Sequence, residues 1–391
     1  MKVVQINAVC SGSTGKIAVD ISRLLDQNGI ENYILYSMGN SDFKNAVKYA
    51  SDKEIKLNAL FAKTSGKYGF HSVMMTKRLI KKLKAIKPDV IQLHNLHGHN
   101  VHLGMLFRYL KKSDAKIFWT HHDAWAFTGY CMYFDYVSCD RWKTGCHTCP
   151  QKKKYSWFFD KSQFLYEKKK TLFEGFRDLT MITPSAWLGD LIKKSHLGEY
   201  PVKVIPNGID LNLFKPTKSD FRAKYGLADK KIYLGVAMAF EPRKGGKYFL
   251  ELAKLLPDDA CLVLVGLTKE QIASLPENII GITRTENQKE LAGIYTAADV
   301  FVNCTLEDNF PTVNLEALAC GTPVVTFQTG GSPEAVDETC GSVVPQGDVE
   351  TMKAEAQKWA ADDFSAECRA RAEKLYMAEA RFLDYINLYK G

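Results

Sequence analysis

The chain has 391 residues, 46% of them apolar and 25% charged, with a net charge of +8. That length suggests two domains or three, and the composition is that of an ordinary globular protein, which argues against wholesale disorder and a collagen-like repeat. With no run of about 18 apolar residues, no membrane-spanning helix is expected. Gln5 and Asn7 break the first apolar stretch too early for a secretory leader, so a cytoplasmic location is expected, with thiols reduced. Residues 1–200 hold 31 Lys and Arg against 17 acids, and residues 201–391 hold 21 against 27. Either the first half alone faces something anionic, or it carries a lysine-rich solvated face.

In chain order, short apolar runs alternate with amphipathic stretches. Lys2–Asn7 reads as a buried strand, followed by a helix over Gly15–Gln27 and a strand over Asn32–Ser37. Strands at Asp89–His94, Lys116–Thr120, Leu179–Thr183 and Val202–Ile205 continue the series, with helices such as Thr76–Ile86 and Val101–Lys111 between them. The rhythm restarts after Pro216, with strands at Lys231–Val236, Cys261–Val265, Ile279–Ile282, Asp299–Asn303 and Pro323–Phe327. Helices over Lys244–Leu255, Gln288–Ala297 and Val313–Ala319 lie among them. Strands alternating with helices predict parallel βαβ units, here as two successive α/β domains. The join is Ile205-Pro206-Asn207-Gly208-Ile209-Asp210. From Arg369 to Lys390 the pattern predicts one long helix. The expected domains are 1–205, with a Cys-rich loop at 131–149, then 206–368, with a terminal helix at 369–391.

Several loops at predicted strand ends carry chemistry. Cys10-Ser11-Gly12-Ser13-Thr14-Gly15-Lys16 follows the first strand and opens a helix, but it matches neither a P-loop nor a dinucleotide fingerprint. Gly12 and Gly15 admit either close approach of a ligand or a tight turn. Thr120-His121-His122-Asp123 ends a strand, where polar residues point into a ligand crevice. His94, His97, His99 and His102 match no zinc helix and read as crevice-lining polar residues at most. Cys131, Cys139, Cys146 and Cys149, spaced C-x7-C-x6-C-x2-C, read as a candidate structural zinc site, a pair of disulfides or four reduced thiols. Arg243-Lys244-Gly245 at a predicted helix start suits a diphosphate, or is merely a solvated basic helix start. In the loop and helix that also hold Asn309 and Phe310, the acids Glu307, Asp308 and Glu316 stand where sugar hydroxyls could donate to them, or merely complement a helix dipole. Gly330-Gly331 supplies a second close-approach loop. Residues 151–170 interleave seven lysines with aromatics, and Lys77–Lys87 adds a basic helix. These suit either a membrane interface or, for the aromatics, a core.

Ile205–Asp210 with Phe214 and Pro216, the stretch Asp308–Val325, Arg243-Lys244-Gly245 and Thr120–Asp123 together resemble a retaining GT-B glycosyltransferase of family 4. HHDAWAFTGYC and RWKTGCHTCPQ resemble its branch building capsule, O-antigen or exopolysaccharide. The resemblance implies two facing doubly wound α/β domains with a central cleft, closing about Pro206–Pro216, and a C-terminal helix returning to the first domain. It implies transfer from a UDP- or GDP-linked sugar to a saccharide or lipid-linked acceptor, with retention and without a catalytic metal. By the same resemblance Lys244 and Arg243 hold the diphosphate, Glu316 the ribose, Asp308 the sugar hydroxyls, and His122 the sugar near the reacting carbon. Two departures stand out. Asp308 replaces the first of the family's paired Glu, and Ala239 stands where its phosphate Arg usually lies. A sugar-nucleotide epimerase or phosphorylase, or a non-catalytic nucleotide-sugar-binding partner, are the competing expectations. Peripheral contact with the inner membrane face is expected, and no nucleic acid partner.

Overall fold

Runs of apolar residues buried on both faces set the architecture of this computed structural model, which describes residues 1–391. In the first unit, β1 (Lys2–Ile6), β2 (Glu31–Tyr36), β3 (Ala46–Lys48), β4 (Val90–Leu93), β5 (Lys116–Thr120), β6 (Leu179–Thr183) and β7 (Val202–Val204) form one sheet. Their order is β3-β2-β1-β4-β5-β6-β7 and every pairing is parallel. In the second unit, β8 (Lys231–Val236), β9 (Ala260–Val265), β10 (Ile279–Ile282), β11 (Val300–Asn303), β12 (Val324–Phe327) and β13 (Gly341–Val344) are ordered β10-β9-β8-β11-β12-β13, again all parallel. Each sheet thus grows outward from its first strand and then reverses, so β1 lies beside β4 and β8 beside β11. Ligand crevices in doubly wound sheets open at that reversal, beyond the carboxyl ends of the strands.

The chain divides into Met1–Ile205 with Phe382–Gly391, and Pro206–Arg381. The tail is not one helix from Arg369. It is two, Ser365–Tyr376 and Ala378–Lys390, and the first of them stays in the second unit. The break falls at Met377, which bridges to Ile209. There Ile209 N–H donates to the Tyr376 carbonyl (2.7 Å) and Ala378 N–H donates to the Ile209 carbonyl (3.0 Å). Gly208 makes this crossing tight, since a Cβ there would lie 2.5 Å from Ala378 Cα. Only from Phe382 onward does the tail join the first unit. There Tyr389 Oη donates to Gln92 Oε1 (3.1 Å), and its ring sits 5.2 Å from that of Phe118. No helix is long and apolar enough to cross a membrane.

Candidate functional site

In the second unit the loops after β8 and β11 are built as one piece. The turn Pro242–Lys244 ends in Gly245, whose φ of +73° only glycine adopts freely. A Cβ on Gly245 would fall 1.9 Å from the Cys304 carbonyl oxygen, so glycine is also what lets the two loops touch. Leu306 N–H donates to the Arg243 carbonyl (2.8 Å), locking that register. The result brings Lys244 Nζ to 2.6 Å from Asp308 Oδ2, with both side chains about one-fifth exposed. Arg243 Nε donates to Glu241 Oε2 (3.2 Å) at the rim.

The Gly330-Gly331 turn closes the other side of Asp308. Gly331 N–H donates to the Asp308 carbonyl (3.3 Å). A Cβ on Gly330, whose φ is +55°, would lie 1.8 Å from that oxygen. Gly330→Ala should therefore displace Asp308 and cost about 2 kcal/mol or more in unfolding free energy. Gly12→Ala is the matched control. Its φ of +68° is equally left-handed, but a Cβ there meets nothing within 4 Å, so the cost should be about 1 kcal/mol. Denaturant unfolding of the two variants measures the difference.

Helix Thr312–Ala319 starts at Pro311 and carries Glu316. Tyr295 Oη donates to Glu316 Oε2 (3.0 Å). Burial pushes the Glu316 carboxyl up to about 7, partly offset by its hydrogen bonds from Tyr295 and Thr312. Asn309 is buried. Phe310 is a departure from expectation, because its ring lies in the core, edge-on to Tyr376 at 6.0 Å. Its carbonyl instead accepts from Asn207 Nδ2 (3.2 Å).

In the first unit, β4 and β5 deliver a histidine cluster to their carboxyl ends. Gln5 Nε2 donates to the Ala18 carbonyl and to Ser22 Oγ, both at 2.8 Å, which aims its Oε1 at His94. His94 Nε2 therefore carries the proton donated to Gln5 (2.9 Å), and His94 Nδ1 accepts from His122 Nε2 (3.1 Å). The two rings stack at 5.4 Å and 13°. This relay leaves Nδ1 as the acceptor nitrogen of His122. Burial, chiefly, holds His122 at about 4 and His94 well below the usual histidine value, so both are neutral at pH 7. Asp123 accepts from His97 Nε2 (2.8 Å). His94, His97, His122, Asp123 and Trp125 line one small pocket. His121 borders the same pocket, but its Nε2 lies 3.1 Å from Met181 Sδ; His102 caps a helix, and the His99 carbonyl accepts from Ser72.

Gly15 has an internal purpose, since a Cβ would lie 2.5 Å from the Cys10 carbonyl carbon. The four cysteines lie near one another, since the thiols of Cys139, Cys146 and Cys149 all act electrostatically on that of Cys131. Cys139 and Cys146 pack on the cluster around Phe134 and Trp142, whereas Cys131 and Cys149 pack with Tyr130 and Tyr155. Cys131 and Cys149 share a thiol hydrogen bond, and Gly129 N–H donates to Cys146 Sγ (3.2 Å). No three His, Cys, Asp or Glu side chains are placed to hold a metal ion in this structure.

Three groups were not legible in the sequence. Gln5 signals itself only as a polar residue inside an apolar strand. Tyr295 has no motif. Lys169 is hidden in a lysine run, yet it is fully buried, with Nζ donating to the Trp125 carbonyl (2.7 Å) and lying 3.6 Å from the Trp125 ring.

Two family models match the chain: "Glycosyltransferase Family 4" over residues 14–213 and "Glycosyl transferases group 1" over residues 217–375. WcaC of Escherichia coli K12, a chain named for colanic acid biosynthesis, is 23% identical over the whole length of both chains. Among solved structures, the sucrose-phosphate synthase of Thermosynechococcus elongatus superposes with a TM-score of 0.73 at 18% identity, covering 100% of this chain and 98% of that one. Anabaena HepE in complex with UDP-glucose gives 0.69 at 14%, covering 100% and 99%.

Proposed function

The chain belongs to glycosyltransferase family 4, and from that premise we propose that it transfers a sugar with retention from a nucleoside diphosphate donor to a saccharide or lipid-linked saccharide in surface-polysaccharide synthesis. The observation that supports this reading best is the Lys244–Asp308 pair, held by Gly245 on one side and Gly330 on the other. Cation, acid and exposed backbone at the sheet reversal suit a nucleotide sugar: the cation and the close-approaching backbone its diphosphate, the acid its hydroxyls. UDP and GDP both fit that chemistry, and UDP-glucose bound to HepE favours UDP.

In the reaction, the bond from the anomeric carbon to the diphosphate breaks and a bond to the acceptor oxygen forms on the same face. The acceptor proton passes to the departing diphosphate oxygen, so no protein base is consumed. Lys244 and Arg243 stabilise the charge that develops on the diphosphate. Glu316 accepts from the ribose hydroxyls, and Asp308 from those of the sugar. Asn309 and the Gly330-Gly331 backbone complete the donor site, and the Gly12–Gly15 loop serves the sugar side. His122 hydrogen-bonds the sugar as a neutral ring of defined tautomer.

His122→Ala should lower kcat about tenfold, the value of one hydrogen bond of about 1.4 kcal/mol. Because the wild-type ring is already neutral, kcat at saturating donor should not vary between pH 6 and 8 on its account. A rapid-quench series across that range checks both statements. The reading as a whole is tested by incubating UDP- and GDP-sugars with a saccharide extract. A new glycoside whose anomeric configuration matches the donor's, seen by NMR, supports it. An inverted product or an isomerised donor refutes it.

A further inference from the structure

Helix Asp52–Ser65 is built inside out for a protein surface. It buries only Ile55 and Ala62, while Leu57, Leu60 and Phe61, spaced i, i+3 and i+4, share an outward face. The loop Trp157-Phe158-Phe159 lies against the end of the same helix. Trp157 N–H donates to the Lys63 carbonyl (2.9 Å), Ser156 Oγ donates to the same oxygen (3.3 Å), and the Phe159 carbonyl packs on the helix-capping Gly66. All six apolar side chains are between 46% and 63% exposed. Isolated exposed apolar residues need no explanation, but six on two joined segments form a patch.

The rim of this patch is basic. Lys63 Nζ sits 5.9 Å from the Trp157 ring centroid and Lys161 Nζ 5.7 Å from that of Phe159, while Lys152 Nζ donates to the Phe158 carbonyl (3.2 Å). Residues 51–87 carry ten Lys or Arg against two acids. Of those acids Asp52 is paired with Lys48 and Glu54 with Arg78, while Asp160, just past the 157–159 loop, accepts from the Cys149 and Ser162 N–H groups. The rest of the 151–170 aromatics face inward. Tyr155 is buried against Tyr130, and Phe164 packs beside Phe70.

We propose that Leu57, Leu60 and Phe61 with Trp157–Phe159 form a membrane-docking surface, the rings entering the interface of an anionic bilayer while the surrounding lysines meet its headgroups. The charge pattern selects this occupant. An apolar centre ringed by cations is complementary to acidic lipid, whereas two copies of the same surface would set like charges against each other. The surface lies within the first unit and is independent of how the second unit holds a nucleotide, so failure of either assignment leaves the other standing.

The test uses the full chain and vesicles of phosphatidylcholine with and without phosphatidylglycerol. The chain should co-sediment with the anionic vesicles, less so at high salt, and Trp157 emission should shift to the blue, a shift absent in Trp157→Phe. Phe158→Ser with Phe159→Ser, and separately Leu57→Gln with Phe61→Gln, should each weaken partitioning roughly tenfold per side chain withdrawn. Thermal unfolding should be unchanged, because these side chains are exposed in the free protein. Equal recovery on neutral and anionic vesicles overturns the proposal, as does unchanged binding in both double variants. A patch-dependent dimer in sedimentation without vesicle binding overturns it too.

Discussion

Lys244→Ala should lower kcat by about two to three powers of ten, with a smaller loss of donor affinity. That is the scale on which removing one preorganised charged donor acts when charge builds on a leaving group. The contact strengthens as the diphosphate departs, so most of the loss falls on the chemical step. The structure adds a second expectation. Lys244 is held 2.6 Å from Asp308, so an incoming diphosphate competes with that carboxylate for the ammonium. Asp308→Asn should therefore leave nucleoside diphosphate binding intact or tighter while weakening the intact donor, whose sugar loses an acceptor. Calorimetry with nucleoside diphosphate and with nucleotide sugar separates the two effects. Equal weakening of both ligands would mean that Asp308 acts only by holding the loop. Wild-type turnover in Lys244→Ala would place the diphosphate elsewhere.

Glu316→Gln should weaken donor binding on the order of 50-fold at pH 8, since hydrogen bonds to a charged acceptor are worth roughly 1.5–3 kcal/mol each. Its carboxyl, raised to about 7 by burial, makes the effect depend on pH. Below about 7 the carboxyl is protonated and accepts poorly from ribose, and above it the carboxylate accepts fully. Wild-type donor affinity should accordingly rise about tenfold from pH 6 to pH 8 as the group ionises, and Glu316→Gln should be flat. Stability has the opposite slope. Between the ordinary carboxylate value and about 7 the native state holds a proton that the unfolded chain has released. Unfolding free energy therefore falls as pH rises through that window. Glu316→Gln should remove this slope, which denaturant titrations at pH 5 and 7 would show without any ligand. A variant that keeps both slopes would assign the raised group to another residue.

The fold was legible where the apolar pattern is strong, even at the sheet edge formed by β10, of which only Ile279 is buried. Strands β5, β6, β8 and β10 match the predicted bounds because each is a short apolar run between turn residues. Edge strand β3 escaped notice because Ala46–Lys48 is only half buried, leaving no apolar run. Helix 52–65 has little inward-facing periodicity, since it buries only Ile55 and Ala62 while Leu57, Leu60 and Phe61 point outward. In the candidate site, the motifs located Lys244, Asp308 and Glu316, but their partners come from remote sequence. Tyr295 is 21 residues from Glu316, and Gln5 is 89 from His94. Such pairings depend on which strands become neighbours, which local spacing does not encode.

The return of Phe382–Gly391 to the first unit has a consequence for the order of events during synthesis. Residues 1–205 leave the ribosome first, yet two of their buried polar groups, Gln92 and Thr120, are met by Tyr389 and Tyr385 only when the final residues are made. The unit that starts first is therefore completed last, after the 206–381 unit already has its whole chain. Removal of the last ten residues would leave the second unit's sequence untouched and would instead uncover β4 and β5. An N-terminal fragment ending near residue 205 would carry the same defect, and exposed Phe118 would make it prone to associate with other nascent chains.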